Sequence, residues 1–264
     1  MKIVMIGSGN LATQLSLALK DAGKEIVQVY SRTEAHAQEL AEQLGCDCTT
    51  AIEAIRKDAD VYVFSVKDDA LSGLITAVCS ARPEALFLHT AGSVAMDVFK
   101  GHASHYGVLY PMQTFSKHRR VSFREIPCFV EASGEAELAV VRELAEGISE
   151  HVVDCDSEKR KKMHLAAVLA CNLTNHCYRL AERVLEREQI DFGLFLPLIE
   201  ETARKVKTMS PKDAQTGPMV RYDQSVMAMQ MAMLPDERTR EIYRLMAESI
   251  HEDYTIKTNL CKLF

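Results

Sequence analysis

Short apolar, β-branched runs alternate with helical patterns through the first half of the chain. The runs fall at Lys2 to Ile6, Glu25 to Tyr30, Val61 to Val66, Ala85 to His89, Val108 to Tyr110 and Pro127 to Glu131. Between them the spacing predicts helices over Asn10 to Ala22, Thr33 to Leu44 and Asp68 to Ala81, which stop at Gly23, at Gly45 and before Pro83. Gly or Pro just past the last periodic residue is the expected stop signal. Strands alternating with helices in this way imply βαβ units and a largely parallel sheet.

After His151-Val-Val-Asp the pattern changes. Ser157 to Gln189 contains no Gly or Pro and is dominated by strong helix formers, enough for about nine turns. Three more helical patterns follow, Leu194 to Met209, Pro218 to Met233 and Pro235 to Tyr254, with a polar loop from Ser210 to Gly217 among them. The predicted fold class is therefore α/β: a mostly parallel sheet domain over residues 1–152, then an all-helical domain over residues 153–264.

Composition narrows the function classes. At 264 residues the chain exceeds a typical single domain, and 47% hydrophobic with 26% charged residues suits a globular protein with a sizeable core. Lys plus Arg at 31 against Asp plus Glu at 37 leaves a net charge of −6. That field disfavours nucleic acid and anionic membranes, so an anionic ligand must be captured locally. The apolar start Met-Lys-Ile-Val-Met-Ile-Gly reads as a strand and not as a signal peptide, and no apolar stretch approaches the roughly 18 residues of a membrane span. A cytoplasmic protein is expected. The eight cysteines are scattered without a C-x-x-C pair and are expected to be free thiols; Cys46 and Cys48 lack partners at metal-site spacing, so no metal is expected.

Gly7-Ser8-Gly9-Asn10-Leu11-Ala12 matches G-x-G-x-x-A where a predicted strand runs into a predicted helix. Gly7 permits the tight turn, Gly9 lets the backbone approach a pyrophosphate, and Ala12 allows close helix packing, which is the Rossmann-like dinucleotide signature. A glycine turn without a ligand is the competing reading. The second strand ends Tyr30-Ser31-Arg32-Thr33, with no acidic residue for a ribose 2′-hydroxyl. Hydroxyls at Ser31 and Thr33 with the Arg32 guanidinium suit a 2′-phosphate, so NADP is the expected cofactor. Ser65-Val66-Lys67 and Thr90-Ala91-Gly92-Ser93 leave the carboxyl ends of later strands and are expected to border the nicotinamide, with Ser93 also a candidate for substrate.

Projected at about 100° per residue, Lys161, His164, Asn172, Asn175 and Arg179 share an arc of roughly 80° on the long predicted helix. A solvated face is one explanation. His and Asn are mediocre helix formers, however, so their clustering points to a catalytic group, with Lys161, His164 and Asn172 as candidates. Thr216-Gly217-Pro218 with Arg221 offers a hydroxyl, a flexible glycine and a forked guanidinium for a carboxylate, against the alternative of a helix start with Arg221 paired to an acidic neighbour. Gln113, in Tyr110-Pro-Met-Gln-Thr-Phe, leaves a strand where ligands tend to bind.

Through these motifs, His89-Thr-Ala-Gly-Ser and Gln215-Thr-Gly-Pro-Met-Val-Arg-Tyr-Asp among them, the chain resembles NADP-dependent reductases of the pyrroline-5-carboxylate reductase and 6-phosphogluconate dehydrogenase type. It is most similar to a branch of NADP oxidoreductases whose C-terminal domain was classed as of unknown function. The resemblance implies a Rossmann-like domain, a helical domain that commonly mediates homodimerisation, and a cleft for cofactor and substrate. The Ser-Pro-Gly-Gly-Thr type of loop of pyrroline-5-carboxylate reductases is missing here. Lys161 lies eleven residues before Asn172, with His164 between, instead of one turn away as in β-hydroxyacid dehydrogenases. Ketopantoate reductases share the architecture, and a deazaflavin hydride partner is neither demanded nor excluded.

The reading that joins these features is an NADPH-dependent reductase of a small carboxylate-bearing ketone or imine. His164, with a reference pKa of about 6.5, would give the proton; Asn172 would orient the reacting group, and Arg221 with Thr216 would hold the carboxylate. The rival reading is a dinucleotide-binding sensor or dimeric assembly protein without catalysis.

Overall fold

The computed structural model describes residues 1–260. By contacts the chain divides into two compact units, one from Met1 to Cys171 and one from Asn172 onward. The strands do end by residue 154, near the boundary read from sequence, but the contacts carry the first unit on into the helix that follows.

The first unit is built on one eight-stranded sheet. In chain order its elements are β1 (Lys2–Ile6), α1 (Asn10–Asp21), β2 (Glu25–Tyr30), α2 (Glu34–Leu44), β3 (Asp47–Thr49), β4 (Val61–Phe64), α3 (Asp68–Cys79), β5 (Leu86–His89), β6 (His105–Pro111), β7 (Cys128–Ala132), α4 (Glu135–Glu146), β8 (Val152–Asp154) and α5 (Ser157–Ala167). The strands lie in the order β3-β2-β1-β4-β5-β6-β7-β8, parallel except where β7 runs antiparallel to β6. The order reverses between β1 and β4, so the carboxyl ends of those two strands flank a crevice where such sheets bind ligands.

Period-2 alternation places Ile3 and Met5 in the core beneath α1, α2 and α4, while Val4 and Ile6 face the other core with α3. Both faces are covered, which is why these strands read as continuous apolar runs. Burying each large apolar side chain stabilises by about 1.5–3 kcal/mol. The sequence passed over β3 and β8, which are three residues each, and over α4. Cys46 and Cys48 sit at the β3 edge; all seven described cysteines are free, and Cys261 lies outside the described residues.

The helix expected over Ser157 to Gln189 is not uniform. α5 gives way at Val168–Leu173 to a π-helical turn before α6 (Thr174–Arg187). Bonding from i to i+5 shifts the phase of every later side chain, so the 100° projection that aligned Asn172, Asn175 and Arg179 with His164 does not hold across the turn. Arg179 is instead paired with Glu182 and Glu186, both at 2.7 Å.

The second unit continues with α7 (Leu196–Lys205), α8 (Pro211–Ala214), α9 (Pro218–Arg221), α10 (Gln224–Met233) and α11 (Glu237–Leu260). The single helix expected over Pro218 to Met233 is broken at Tyr222, which adopts φ 54°, and Asp223 caps α10 by accepting from the Val226 N–H. Arg183 on α6 pairs with Asp236 at 2.9 Å, and Asp236 also accepts from the Thr239 N–H at the start of α11. Among the described residues no helix is long and apolar enough to cross a membrane.

His89 ends β5 with no solvent exposure and stacks on Phe99 at 5.7 Å. Burial, then the nearby Arg160 charge, push its pKa down to about 3. A neutral buried imidazole contributes stability that is complete above its unfolded pKa and is lost as pH falls towards the folded one. Urea unfolding is therefore expected to show the wild-type protein losing about 2 kcal/mol between pH 7 and pH 5 through this residue, and His89→Asn lacking that part of the slope.

Candidate active site

The turn after β1 is set by one close approach. Gly7 has φ 121°, its N–H donates to the Tyr30 carbonyl at 2.8 Å, and a Cβ there would lie 2.1 Å from the Ser65 carbonyl oxygen. Only glycine lets β1, β2 and β4 converge at this point. Gly9 differs: its φ is −75°, and an added Cβ would meet nothing within 4 Å. The space beside Gly9 is therefore open to a ligand. α1 begins there with no side-chain cap and no acidic residue in its first turn, so the N–H groups of Asn10 and Leu11 stand ready for an anion.

The adjacent loop after β2 supplies the side chains. The Ser8 hydroxyl donates to that of Ser31 at 2.7 Å, bracing the two loops. Arg32 is exposed, and its guanidinium has no partner among the described residues; Thr33 is the N-cap residue of α2 without a side-chain cap bond. These groups line a cleft of about 740 Å³ together with Ser65, Val66 and Lys67 after β4, Thr90 to Ser93 after β5, and Tyr110, Gln113 and His164. All belong to the first unit. A smaller hollow of about 490 Å³ near Lys20, Lys24 and Arg56 has its cations already engaged, as in Lys24–Glu143 and Arg56–Asp58.

At the other end of the cleft the turn after β5 is pinned twice. The Ala91 N–H donates to Nδ1 of His89 at 3.1 Å, and the Thr90 N–H donates to the Phe64 carbonyl at 3.1 Å. Ser93 donates to Asp68 at the start of α3. Gly92 is small for a reason visible in the structure: a Cβ there would lie 2.5 Å from Nδ1 of His164. The imidazole thus rests on the Gly92 backbone, and the Tyr110 hydroxyl is 2.9 Å from its Nδ1.

α5 carries His164 into this position because its first turn is locked. Arg160 is fully buried; its guanidinium pairs with Glu131 of β7 and donates to the Val94 carbonyl at 2.6 Å. Ser157 donates to the same Glu131 at 2.8 Å and accepts from the Met96 N–H at 2.9 Å. Lys161 points elsewhere: its ammonium pairs with Glu158 at 2.8 Å, and it does not line the cleft. Asn172, Thr216, Gly217 and Arg221 belong to the second unit. There Asn172 lies in the π-helical turn and Gly217, at φ 111°, opens α9. Arg221, at the end of α9, has no ion pair among the described residues.

Sequence reasoning missed three polar lining residues, His36, Asp68 and Lys117. Lys117 pairs with Glu39 of α2 at 3.1 Å, and Gln14 of α1 holds its loop by donating to the Ser116 and Lys117 carbonyls. A separation of 78 residues between Lys117 and Glu39 leaves no local pattern to find.

Comparison with known proteins divides the chain differently, since the second match begins inside the first unit. Residues 2–90 match the family model described as NADP oxidoreductase coenzyme F420-dependent, and residues 126–250 match a domain of unknown function, DUF2520. A Bacteroides fragilis crystal structure described as a "putative NADP oxidoreductase" is 49% identical, with 95% of this chain and 98% of that one covered and a TM-score of 0.93. An imine reductase from Myxococcus stipitatus in complex with NADP+ is 16% identical over 98% and 95% of the two chains, TM-score 0.67. A reductive aminase from Aspergillus terreus in complex with NADPH and ethyl-5-oxohexanoate is 18% identical over 95% and 94%, TM-score 0.66. At those identities the last two share the fold. No curated protein matches the chain.

The open space at Gly9 separates folding from binding. Gly9→Asn places a favoured N-cap residue on α1 and is expected to keep or slightly raise the thermal midpoint. The same side chain fills the ligand space, so NADPH affinity read by fluorescence titration is expected to fall at least about tenfold, or about 1.4 kcal/mol.

Proposed function

Because the chain belongs to the NADP oxidoreductase family represented by the Bacteroides fragilis structure, we propose that it uses NADPH to reduce a small carboxylate-bearing ketone or imine, with His164 giving the proton. The observation that carries this reading is the placement of His164 over Gly92 in the same cleft as the Gly7 to Leu11 loop.

The residues present fit the cofactor. Open space at Gly9, the uncapped start of α1 and an Arg32 unpaired among the described residues are what a pyrophosphate and a 2′-phosphate require. Gly7, Ser8, Gly9, Asn10 and Leu11 would hold the pyrophosphate, Ser31, Arg32 and Thr33 the 2′-phosphate. Ser65, Val66, Lys67, Thr90 and Ala91 would border the nicotinamide. When bound, NADPH supplies a hydride. His164 then neutralises the charge that develops on the substrate oxygen or nitrogen by giving up a ring proton. Ser93 and Gln113 line the same cleft and are assigned to the substrate.

In the second unit the guanidinium of Arg221, without an ion pair among the described residues, is the candidate for the substrate carboxylate, with Thr216 and Gly217 beside it in sequence, and Asn172 the candidate for orienting the reacting group. Lys161 is the weaker proton donor, since Glu158 already engages it.

We also read the chain as a homodimer. Leu165 and Leu169 are 61% and 57% exposed, and Leu194, Leu198 and Met233 of the second unit are each above 60%. Apolar side chains exposed in such numbers on helices mark an association surface. Light scattering is expected to give twice the chain mass; a monomer would remove this reading.

NADPH oxidation screened against 2-keto acids and cyclic imines tests the reaction, with His164→Ala expected to lower kcat about 100-fold on any substrate found. Parallel titrations are expected to show NADPH binding at least tenfold more tightly than NADH, and Arg32→Ala bringing the two to parity. Absence of turnover across the screen, with NADPH still bound, would favour a dinucleotide sensor.

A further inference from the structure

Tyr110 stands at the end of β6 as the neighbour of His164. It is 7% exposed, its ring lies 6.2 Å from that of Phe129, and it meets the imidazole edge to face at 5.9 Å and 75°. Its hydroxyl reaches Nδ1 of His164 at 2.9 Å, and the backbone of Gly92 closes the same side of the ring. Nε2 has no partner among the described residues.

We propose that Tyr110 is a positioning residue that engages Nδ1 of His164 in both charge states, so that Nε2 is the nitrogen that exchanges a proton with the substrate. The inference rests on His164 being the proton donor. Which nitrogen of a histidine carries its proton is set by the bond the other one makes. Burial pushes the Tyr110 phenol up, so it stays protonated at neutral pH. Against a neutral ring the phenol O–H donates to Nδ1, and the ring proton resides on Nε2. Against the imidazolium, Nδ1–H donates to the phenol oxygen and Nε2–H is the proton given up. Delivery breaks the Nε2–H bond, forms an O–H or N–H bond on the substrate, and leaves the remaining ring proton on Nδ1, donated to the phenol oxygen, until Nε2 is protonated again. A proton from solvent then returns to Nε2.

The geometry also explains why a tyrosine does this. Phenylalanine would pack equally well on Phe129 but would leave the imidazole free to rotate about its Cβ–Cγ bond. The hydroxyl and the Gly92 backbone together restrain that rotation at the Nδ1 edge.

The test is the tautomer of His164 in the resting protein without cofactor, read from imidazole ¹⁵N shifts above the histidine pKa, with the signals assigned through their loss in His164→Asn. The wild-type protein is expected to show the Nε2–H form. Tyr110→Phe is expected to show a mixture of both neutral forms with the thermal midpoint retained, and to lower kcat about tenfold while leaving KM for NADPH unchanged. Gly92→Ala, whose Cβ would crowd the ring at its Nδ1 edge, provides a second variant and is expected to mix the tautomers as well. A wild-type Nδ1–H form, or a spectrum unchanged in Tyr110→Phe, overturns the proposal and leaves the role of His164 standing. Full turnover in His164→Ala overturns the role of His164 and this proposal with it.

Discussion

The buried guanidinium of Arg160 is the constraint on which the arrangement of one end of the cleft depends. It joins β7 through Glu131, the loop after β5 through the Val94 carbonyl, and the first turn of α5 through Ser157. Desolvating such a pair costs several kcal/mol per ion, so its value is not simply added stability. What it supplies is register. With Arg160 held on three sides, α5 cannot rotate or slide, and His164, one helical turn on, is delivered to Gly92 and Tyr110. The same charge helps keep His89 neutral, and neutral His89 accepts from the Ala91 N–H that shapes the turn beneath His164. One buried cation therefore organises both histidines without touching the cleft.

The opposite end of the cleft is organised by backbone. Gly7 brings the Ser65 carbonyl within a distance no side chain permits, so the ends of β1 and β4 meet at the reversal of strand order. The N–H groups of α1 and the Ser8–Ser31 bridge then give a site whose attraction for an anion is local. A chain of net charge −6 can in this way hold a cofactor that carries several negative charges without presenting a positive surface.

What was legible in the sequence divides by range. The Gly7 to Ala12 loop, the parallel strands and the two-part organisation follow from residues adjacent in the chain, where spacing and residue type carry the physics. β3 and β8 are too short to show a period, whereas α4, a run of good helix formers ending at Gly147, carried a readable pattern that was passed over. The π-helical turn after Ala167 has no residue signature; it widens the backbone within a run of good helix formers, and the periodic projection failed there for that reason. Tyr110 appeared inside a motif, yet its role depends on a partner 54 residues away. Lys117 likewise depends on α1 and α2.

The arginines divide by the partners they find. Arg56, Arg142, Arg183 and Arg204 each have a carboxylate within ion-pair distance, and Arg82 donates to three backbone carbonyls. Arg32 and Arg221, with Arg119, are the arginines whose guanidiniums lack any such partner among the described residues. Arg32 follows a buried strand end, and Arg221 precedes a left-handed Tyr222. Two of these three arginines are the ones that motif reading assigned to a 2′-phosphate and a carboxylate, the anions that a guanidinium fork suits.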